Sequence, residues 1–277
     1  MTFNWQTWLG FDNIFFDCDS TLSTIEGIDE LARNKGKYDE VKRLTDAAME
    51  GEVHLQSVYD LRLTLLKPTR AEVRELERHY RETLVADAAD VIQALLHVGK
   101  MVYIVSGGLL AAVRPFGMSL GLPPQNIRAV DLRFNDLSGS WWDYQQDQWG
   151  PRPDVEYLNP EQTPLIQTEG KAAVVKELLG AQPGRAMLIG DGVSDLAARP
   201  AVDMVIGFGG VIARPRVAVE ADIFITAPSL AAILPLALTE AQGATLQDSP
   251  YFATLQKGLS QIESNEVNFN YVVRGVS

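Results

Sequence analysis

Asp17 and Asp19 stand directly after the apolar run Asn13 to Phe16. Alternate side chains of an extended strand end share a face, so this spacing turns the two carboxylates together and Cys18 the other way, into packing. Two close carboxylates repel, so one takes a proton or a cation sits between them. Either outcome suits a nucleophilic carboxylate beside an acid, with Mg²⁺ bound by oxygen. Taken alone, an Asp-x-Asp pair is more often a solvated surface turn.

Three further clusters have the same ambivalence one at a time. Ser106-Gly107-Gly108 follows the apolar run Met101 to Val105 and precedes a helical pattern. Glycines let backbone amides approach an anion, and a helix start favours negative charge. A helix cap with a glycine turn explains the same residues. Lys171 opens another helical pattern after Glu169-Gly170. A cation there opposes the helix dipole, so it is a solvated lysine or a charge aimed at phosphate and at the nucleophilic aspartate. Gly190-Asp191-Gly192-Val193-Ser194-Asp195 follows the run Ala186 to Ile189. It offers either an oxygen-rich pocket for Mg²⁺ or an Asx turn that caps the next helix.

The combination is more specific than its parts. Four aspartates and a phosphate monoester cannot share a dry pocket unless cations offset them, and Mg²⁺ with Lys171 supplies that offset. Phosphoryl transfer needs chiefly such positioning and charge stabilisation.

The elements that must carry these residues alternate. Asn13 to Phe16, Met101 to Val105, Ala186 to Ile189, Asp203 to Ile206 and Asp222 to Ile225 are short apolar runs bounded by turn residues, and predict buried strands. Between them, Ala88 to Val98, Leu109 to Leu120, Lys171 to Leu179 and Leu230 to Leu238 have helical spacing. The pattern predicts an α/β fold: a doubly wound, mostly parallel Rossmann-like sheet, with ligands beyond the carboxyl ends of its strands. A charged, amphipathic stretch after the first strand predicts a small helical cap domain over 27–85, inserted into a discontinuous core of 1–26 and 86–240. Asp136 to Pro164, which holds Trp141, Trp142 and Trp149, predicts a β-hairpin or a long loop. The extension 241–277 has no assigned role, although Val267 to Val273 has the pattern of an added strand.

The chain has 277 residues, 46% hydrophobic and 22% charged, with a net charge of −12. Those proportions exclude a mainly disordered chain or a coiled-coil rod. The acidity and the lack of a basic patch argue against nucleic acid and anionic lipid as partners. A single cysteine excludes an internal disulfide and a cysteine-rich zinc site. With no signal-peptide pattern at the start and no long apolar run, the expectation is a soluble, cytoplasmic protein without a membrane span.

In order and spacing, the four clusters resemble the four motifs of the haloacid dehalogenase superfamily of aspartate-nucleophile phosphatases, over roughly Asn13 to Leu238, with the insert where type I caps sit. Asp17-Cys-Asp-Ser-Thr-Leu, Glu26-Gly-Ile-Asp-Glu-Leu-Ala, Met49, Arg62-Leu-Thr-Leu-Leu-Lys-Pro and Ile206-Gly-Phe-Gly-Gly are similar to the phosphoserine phosphatase branch of that superfamily. The resemblance implies Mg²⁺-dependent hydrolysis of O-phospho-L-serine through an aspartyl phosphate, as the last step of serine biosynthesis. It makes Asp17 the nucleophile and Asp19 the general acid and base. Ser106 and Gly107 become the phosphate cradle, and Lys171 the motif lysine. Asp17, the backbone carbonyl of Asp19 and Asp191 become Mg²⁺ ligands, with Asp195 supporting the site and Ser194 keeping a hydroxyl near the substrate. In the cap it gives Glu26 to the substrate ammonium, Arg62 to its carboxylate and Met49 to packing beside it.

The chemistry of the cap pair agrees independently, since a glutamate and an arginine fork answer an ammonium and a carboxylate. Their plain readings are a helix-opening acid and a solvated helix-face arginine. The sequence departs from the pattern at His54-Leu55, where a proline and an aromatic residue are usual, and at Ser194, where threonine or asparagine is common. The nearness of Asp17 to the start leaves no expectation of an amino-acid-binding regulatory domain before the core. The expected assembly is a monomer or a homodimer. The rival readings are a related phosphatase for another small phosphomonoester, a signalling receiver domain, and a non-catalytic module on this fold.

Overall fold

The structure is a computed structural model, which describes residues 3–135 and 154–270. Its strands are β1 (Asn13–Phe16), β2 (Met101–Leu109), β3 (Ile127–Val130), β4 (Leu132–Asn135), β5 (Glu156–Pro160), β6 (Ala186–Gly190), β7 (Met204–Phe208), β8 (Ile223–Ile225) and β9 (Val267–Phe269). Seven of them form one sheet in the order β3-β2-β1-β6-β7-β8-β9. All neighbours are parallel except β8 and β9. The fold is the α/β, mostly parallel architecture the alternation predicts. Every residue of β1, β6 and β7 is buried, as expected of strands covered on both faces. Phe15 of β1 pairs with Tyr103 of β2, and their rings stack with centroids 4.5 Å apart.

The strand order reverses between β1 and β6. The chain leaves β1 toward β2 and β3 on one side, and leaves β6 toward β7 and β8 on the other. A crevice opens at such a switch point beyond the carboxyl ends of the strands. Asp17 follows β1 and Asp191 follows β6, so the topology sets both aspartates at that crevice.

Between β1 and β2 lie four helices: α1 (Gly27–Asn34), α2 (Tyr38–Met49), α3 (Leu55–Leu66) and α4 (Arg70–Glu82). Each hides one stripe. In α2 the buried residues are Val41, Thr45 and Ala48, and in α4 they are Val73, Leu76 and Tyr80. A capping box in which Thr69 and Glu72 exchange hydrogen bonds starts α4. Two chain segments join this insert to the sheet side by side: Thr24 N–H donates to Thr83 O at 2.8 Å, and Val85 N–H to Leu22 O at 2.9 Å. Tyr80 of α4 also packs on Phe116 of α6 (Leu110–Ser119), the helix that follows α5 (Ala88–His97) and β2, centroids 5.5 Å apart.

Several local expectations need correction. β2 does not stop at Val105 but continues through Ser106-Gly107-Gly108 to Leu109, with an irregular register against β3. The helix expected over Leu230 to Leu238 shrinks to Ile233–Ala237. The Ser229 hydroxyl accepts from Ala231 N–H, and Gln261 accepts from Ala232 N–H, so these amides leave the helical ladder. The sequence pattern does not predict strand β3, which is four residues long with only its ends buried. Within Asp136 to Pro164, β5 pairs antiparallel with β4, and 136–153, with the three tryptophans, lie outside the described residues. The tail has a structural part: β9 extends the sheet, and the helix Phe252–Glu263 packs against Ile233–Ala237. Residues 271–273 of the expected strand also lie outside the described residues. At the other end, the Trp5 and Trp8 indoles donate to Leu238 O and Leu236 O. No helix among the described residues is long and apolar enough to cross a membrane.

Candidate active site

Asp17 leaves β1 with its carboxylate buried; Oδ1 accepts Cys18 N–H at 2.8 Å and Oδ2 lies 2.8 Å from Lys171 Nζ. Cys18 turns into the core as the alternation requires, and burial, then the neighbouring aspartates, push its thiol well above its ordinary pKa. Lys171 is the second residue of α7 (Gly170–Leu179) and also donates to Asp195 Oδ1 at 2.7 Å. Burial by itself would lower the Lys171 pKa. The Asp17 and Asp195 carboxylates outweigh it and hold the ammonium above its ordinary value. These partners explain how a cation persists at a helix start.

The second oxygen of Asp195 accepts Gly192 N–H at 3.0 Å. This close fold-back requires glycine at the end of β6, because a Cβ on Gly190 would come within 2.1 Å of the Asp195 carboxyl carbon. Asp17, Asp191 and Asp195 can each bring one carboxylate oxygen to within 4.8 Å of the others. Asp191 Oδ1 is buried and has no hydrogen-bond partner among the described residues. Three buried carboxylates with an orphaned oxygen fit a hard divalent cation, which takes oxygen ligands. Without a cation, burial raises Asp191 to about 6 and Asp195 to about 7, against the pull of Arg214 and Lys171 respectively.

The Asp19 side chain stands apart from this cluster. Its Oδ1 accepts two hydrogen bonds of 2.7 Å, from Gly27 N–H and the Tyr80 hydroxyl, both contributed by the helical insert. Its Oδ2 faces the Ser106 hydroxyl at 3.5 Å. Burial, then the charge of Asp17, raise Asp19 to about 6, within reach of a carboxyl that gives and takes a proton near neutrality. Ser106 is fully buried and its Oγ accepts Gly108 N–H at 2.9 Å, while Gly107 and Gly108 line the cavity.

The insert closes over this floor. Glu26, Met49 and Arg62 line the same cavity as Asp17, Asp19, Gly107, Lys171 and Ser194. Glu26 occupies the position that opens α1, yet its side chain caps nothing and instead accepts from the Ser20 hydroxyl at 2.8 Å. Burial, then Asp19 and Asp191, push its pKa well up. Arg62 is only 6% exposed, which removes the plain reading of a solvated helix-face residue. Its Nη1 donates to the Thr45 hydroxyl at 3.0 Å, and that hydroxyl donates to Asp29 Oδ1 at 2.7 Å. Burial lowers the Arg62 pKa, and nearby acids work against that. Met49 ends α2, its sulfur pressed toward Gly192.

The sequence reading missed three residues. Arg214 is 2% exposed; its Nε donates to Asp191 Oδ2 at 3.0 Å, and its guanidinium lies within 4.0 Å of Glu26. Tyr80 holds Asp19, and Tyr59 lines the cavity beside Arg62. Their only sequence signals are an arginine in a loop after the Gly209-Gly210 pair and aromatic residues on amphipathic helices.

Residues 14–198 match the haloacid dehalogenase-like hydrolases. The chain is 33% identical over 213 residues to the phosphoserine phosphatase of Drosophila melanogaster, covering 77% of this chain and 74% of that one. To the human phosphoserine phosphatase it is 31% identical over 216 residues, covering 78% and 89%. A solved substrate-bound phosphoserine phosphatase complex superposes with a TM-score of 0.64 at 28% identity, over 80% of this chain and 96% of that one. On a matching fold with its acidic crevice in place, these likenesses identify the chain as a phosphoric monoester hydrolase belonging to the haloacid dehalogenase-like hydrolases, in their phosphoserine phosphatase family.

Proposed function

We propose that the chain hydrolyses O-phospho-L-serine to L-serine and phosphate. The observation that carries this reading is the meeting, in one cavity, of Asp17, Asp19 and Lys171 with Glu26 and Arg62. The first three suit a phosphate ester, and the last two suit the ammonium and carboxylate of an amino acid. The relatives named phosphoserine phosphatase support the same substrate.

In this reading an Asp17 carboxylate oxygen attacks phosphorus as the serine oxygen leaves, and Asp19 gives that oxygen its proton. Asp19 then takes a proton from water as the water attacks the aspartyl phosphate, which releases phosphate and restores Asp17. Lys171, fixed between Asp17 and Asp195, offsets the charge gathered on the phosphoryl oxygens. Ser106 and the Gly107 and Gly108 backbone cradle those oxygens, and Ser194 borders them. Asp17, Asp191 and the Asp19 carbonyl would hold Mg²⁺, with Asp195 supporting through Lys171. Bound there, Mg²⁺ supplies positive charge to the phosphoryl group. Residues 27–85 act as a cap that closes the amino-acid end, where Glu26 meets the ammonium, Arg62 the carboxylate and Met49 the carbon chain.

The test is a panel of small phosphomonoesters assayed with and without Mg²⁺. Phosphoserine is expected to have the highest kcat/KM, above phosphoethanolamine, which lacks the carboxylate, and 3-phospholactate, which lacks the ammonium. Equal efficiency on all three overturns the substrate assignment and leaves a phosphatase for another ester.

A further inference from the structure

Five buried side-chain polar atoms have no hydrogen-bond partner among the described residues, and two of them sit side by side on α3: the Tyr59 hydroxyl and Arg62 Nε. Residues three apart share a helix face, and the Arg62 guanidinium carbon stands 5.6 Å from the Tyr59 ring centroid. Both side chains line the cavity that also holds Asp17, Asp19 and Lys171. Tyr59 is 5% exposed and Arg62 6%, so bulk water does not satisfy either group. A buried donor left without an acceptor is costly, and such groups in native proteins call for an explanation.

Arg62 cannot swing away to find its own partner. Its Nη1 is tied to Thr45, which is tied to Asp29. The Nε–H is therefore a donor held in place, with a second donor three residues before it. Burial pushes the Tyr59 phenol far above its ordinary pKa, so the hydroxyl keeps its proton. Two unpaired donors on one helix face, carried by side chains that both line the cavity, complement an acceptor with two oxygens, and a carboxylate is the group of that shape and charge.

We infer that Tyr59 is a specificity-determining residue: its hydroxyl and Arg62 Nε–H together form a two-donor seat for the substrate carboxylate. The inference rests on the phosphoserine reading above and assigns a second anchor to its amino-acid end. A lone arginine accepts a carboxylate in several registers, whereas a phenol beside it fixes one. The amino group is thereby directed to Glu26 and the phosphate to Asp17.

The test is Tyr59→Phe, which keeps the ring and removes the donor. Wild type and variant are assayed on O-phospho-L-serine and on O-phosphoethanolamine, which has no carboxylate, and their melting temperatures are compared. The expected result is about a tenfold fall in the ratio of kcat/KM for phosphoserine to that for phosphoethanolamine, mostly through a raised phosphoserine KM. An unchanged ratio overturns the inference, whether both activities fall together, as for a packing defect, or neither moves. If the wild type shows no preference for phosphoserine, the substrate reading fails before the variant is measured. A wild-type preference that Tyr59→Phe leaves undiminished sinks the Tyr59 assignment alone.

Discussion

The Tyr80 hydroxyl donates to Asp19 Oδ1 at 2.7 Å across 61 residues of sequence, so the last helix of the insert holds a carboxylate at the end of the first strand. The insert is thus bound into the acidic floor as well as covering it. Gly27 N–H, at the start of α1, holds the same oxygen. Oδ2 is left to the Ser106 hydroxyl, 3.5 Å away.

Tyr80→Phe tests that arrangement. Hydrogen bonds to charged groups contribute about 1.5–3 kcal/mol, so loss of this one should lower kcat by about ten- to a hundredfold. KM should change less, because Tyr80 does not line the cavity. Steady-state kinetics on phosphoserine check this; an unchanged kcat would show that Gly27 alone suffices to place Asp19.

A second prediction concerns the relay from Asp29 through Thr45 to Arg62. Thr45→Val keeps the side-chain shape but leaves Arg62 Nη1 without its acceptor and Asp29 without its donor. The phosphoserine KM should rise about tenfold with a smaller change in kcat, and Thr45→Ser should restore it. Failure of serine to rescue would mean that the threonine methyl, not the hydroxyl, matters.

Much of this site was legible in the sequence because its four aspartates sit just after buried strands. Asp17, Asp19, Asp191 and Asp195 follow apolar runs, and parallel strands bring their carboxyl ends to one edge. Glu26 and Arg62 were legible only through the family resemblance, since their plain readings, a helix-opening acid and a solvated arginine, suit the local pattern as well. Arg214 was not legible. Nothing in Val211 to Pro215 marks an arginine that turns inward, and its partners, Asp191 and Glu26, are distant in sequence. Tyr59 and Tyr80 read as ordinary core aromatics, since periodicity places a ring but says nothing of where its hydroxyl points. Strand β3 escaped because four residues with two half-buried centres have no clear period.

A third prediction is metal dependence at the aspartate cluster. Activity should vanish on chelation and return with Mg²⁺. Asp191→Asn should raise the Mg²⁺ concentration needed for half-maximal activity by about tenfold or more, because it removes a charged oxygen donor. Isothermal titration with Mg²⁺ checks the same point without turnover. Wild-type activity in excess chelator would contradict the cation reading.

A fourth prediction concerns the stability of the insert. Partial burial would raise the Glu72 pKa, but the Lys35 ammonium at 2.8 Å and the Thr69 N–H outweigh it and lower the pKa below its ordinary value. A depressed carboxylate stabilises the folded state above its ordinary pKa, and that stability is lost as the pH falls through the folded value. Thr69→Ala should cost about 1 kcal/mol at neutral pH by removing the cap of α4. Glu72→Gln should destabilise at neutral pH and lose that deficit under acid. Melting curves at neutral and acidic pH check both; a Glu72→Gln deficit that persists in acid would show that the charge is not its source.

If Asp17 carries the phosphoryl group during turnover, acid-quenched labelling catches it there. The enzyme is mixed with phosphoserine bearing radioactive phosphate, stopped in acid within the first turnover, digested, and the labelled peptide mapped. Label is expected on the peptide containing Asp17, lost with hydroxylamine and absent from Asp17→Asn. Label on Ser20, Thr21 or Ser106, or an Asp17→Asn variant that still turns phosphoserine over at the wild-type rate, would contradict it.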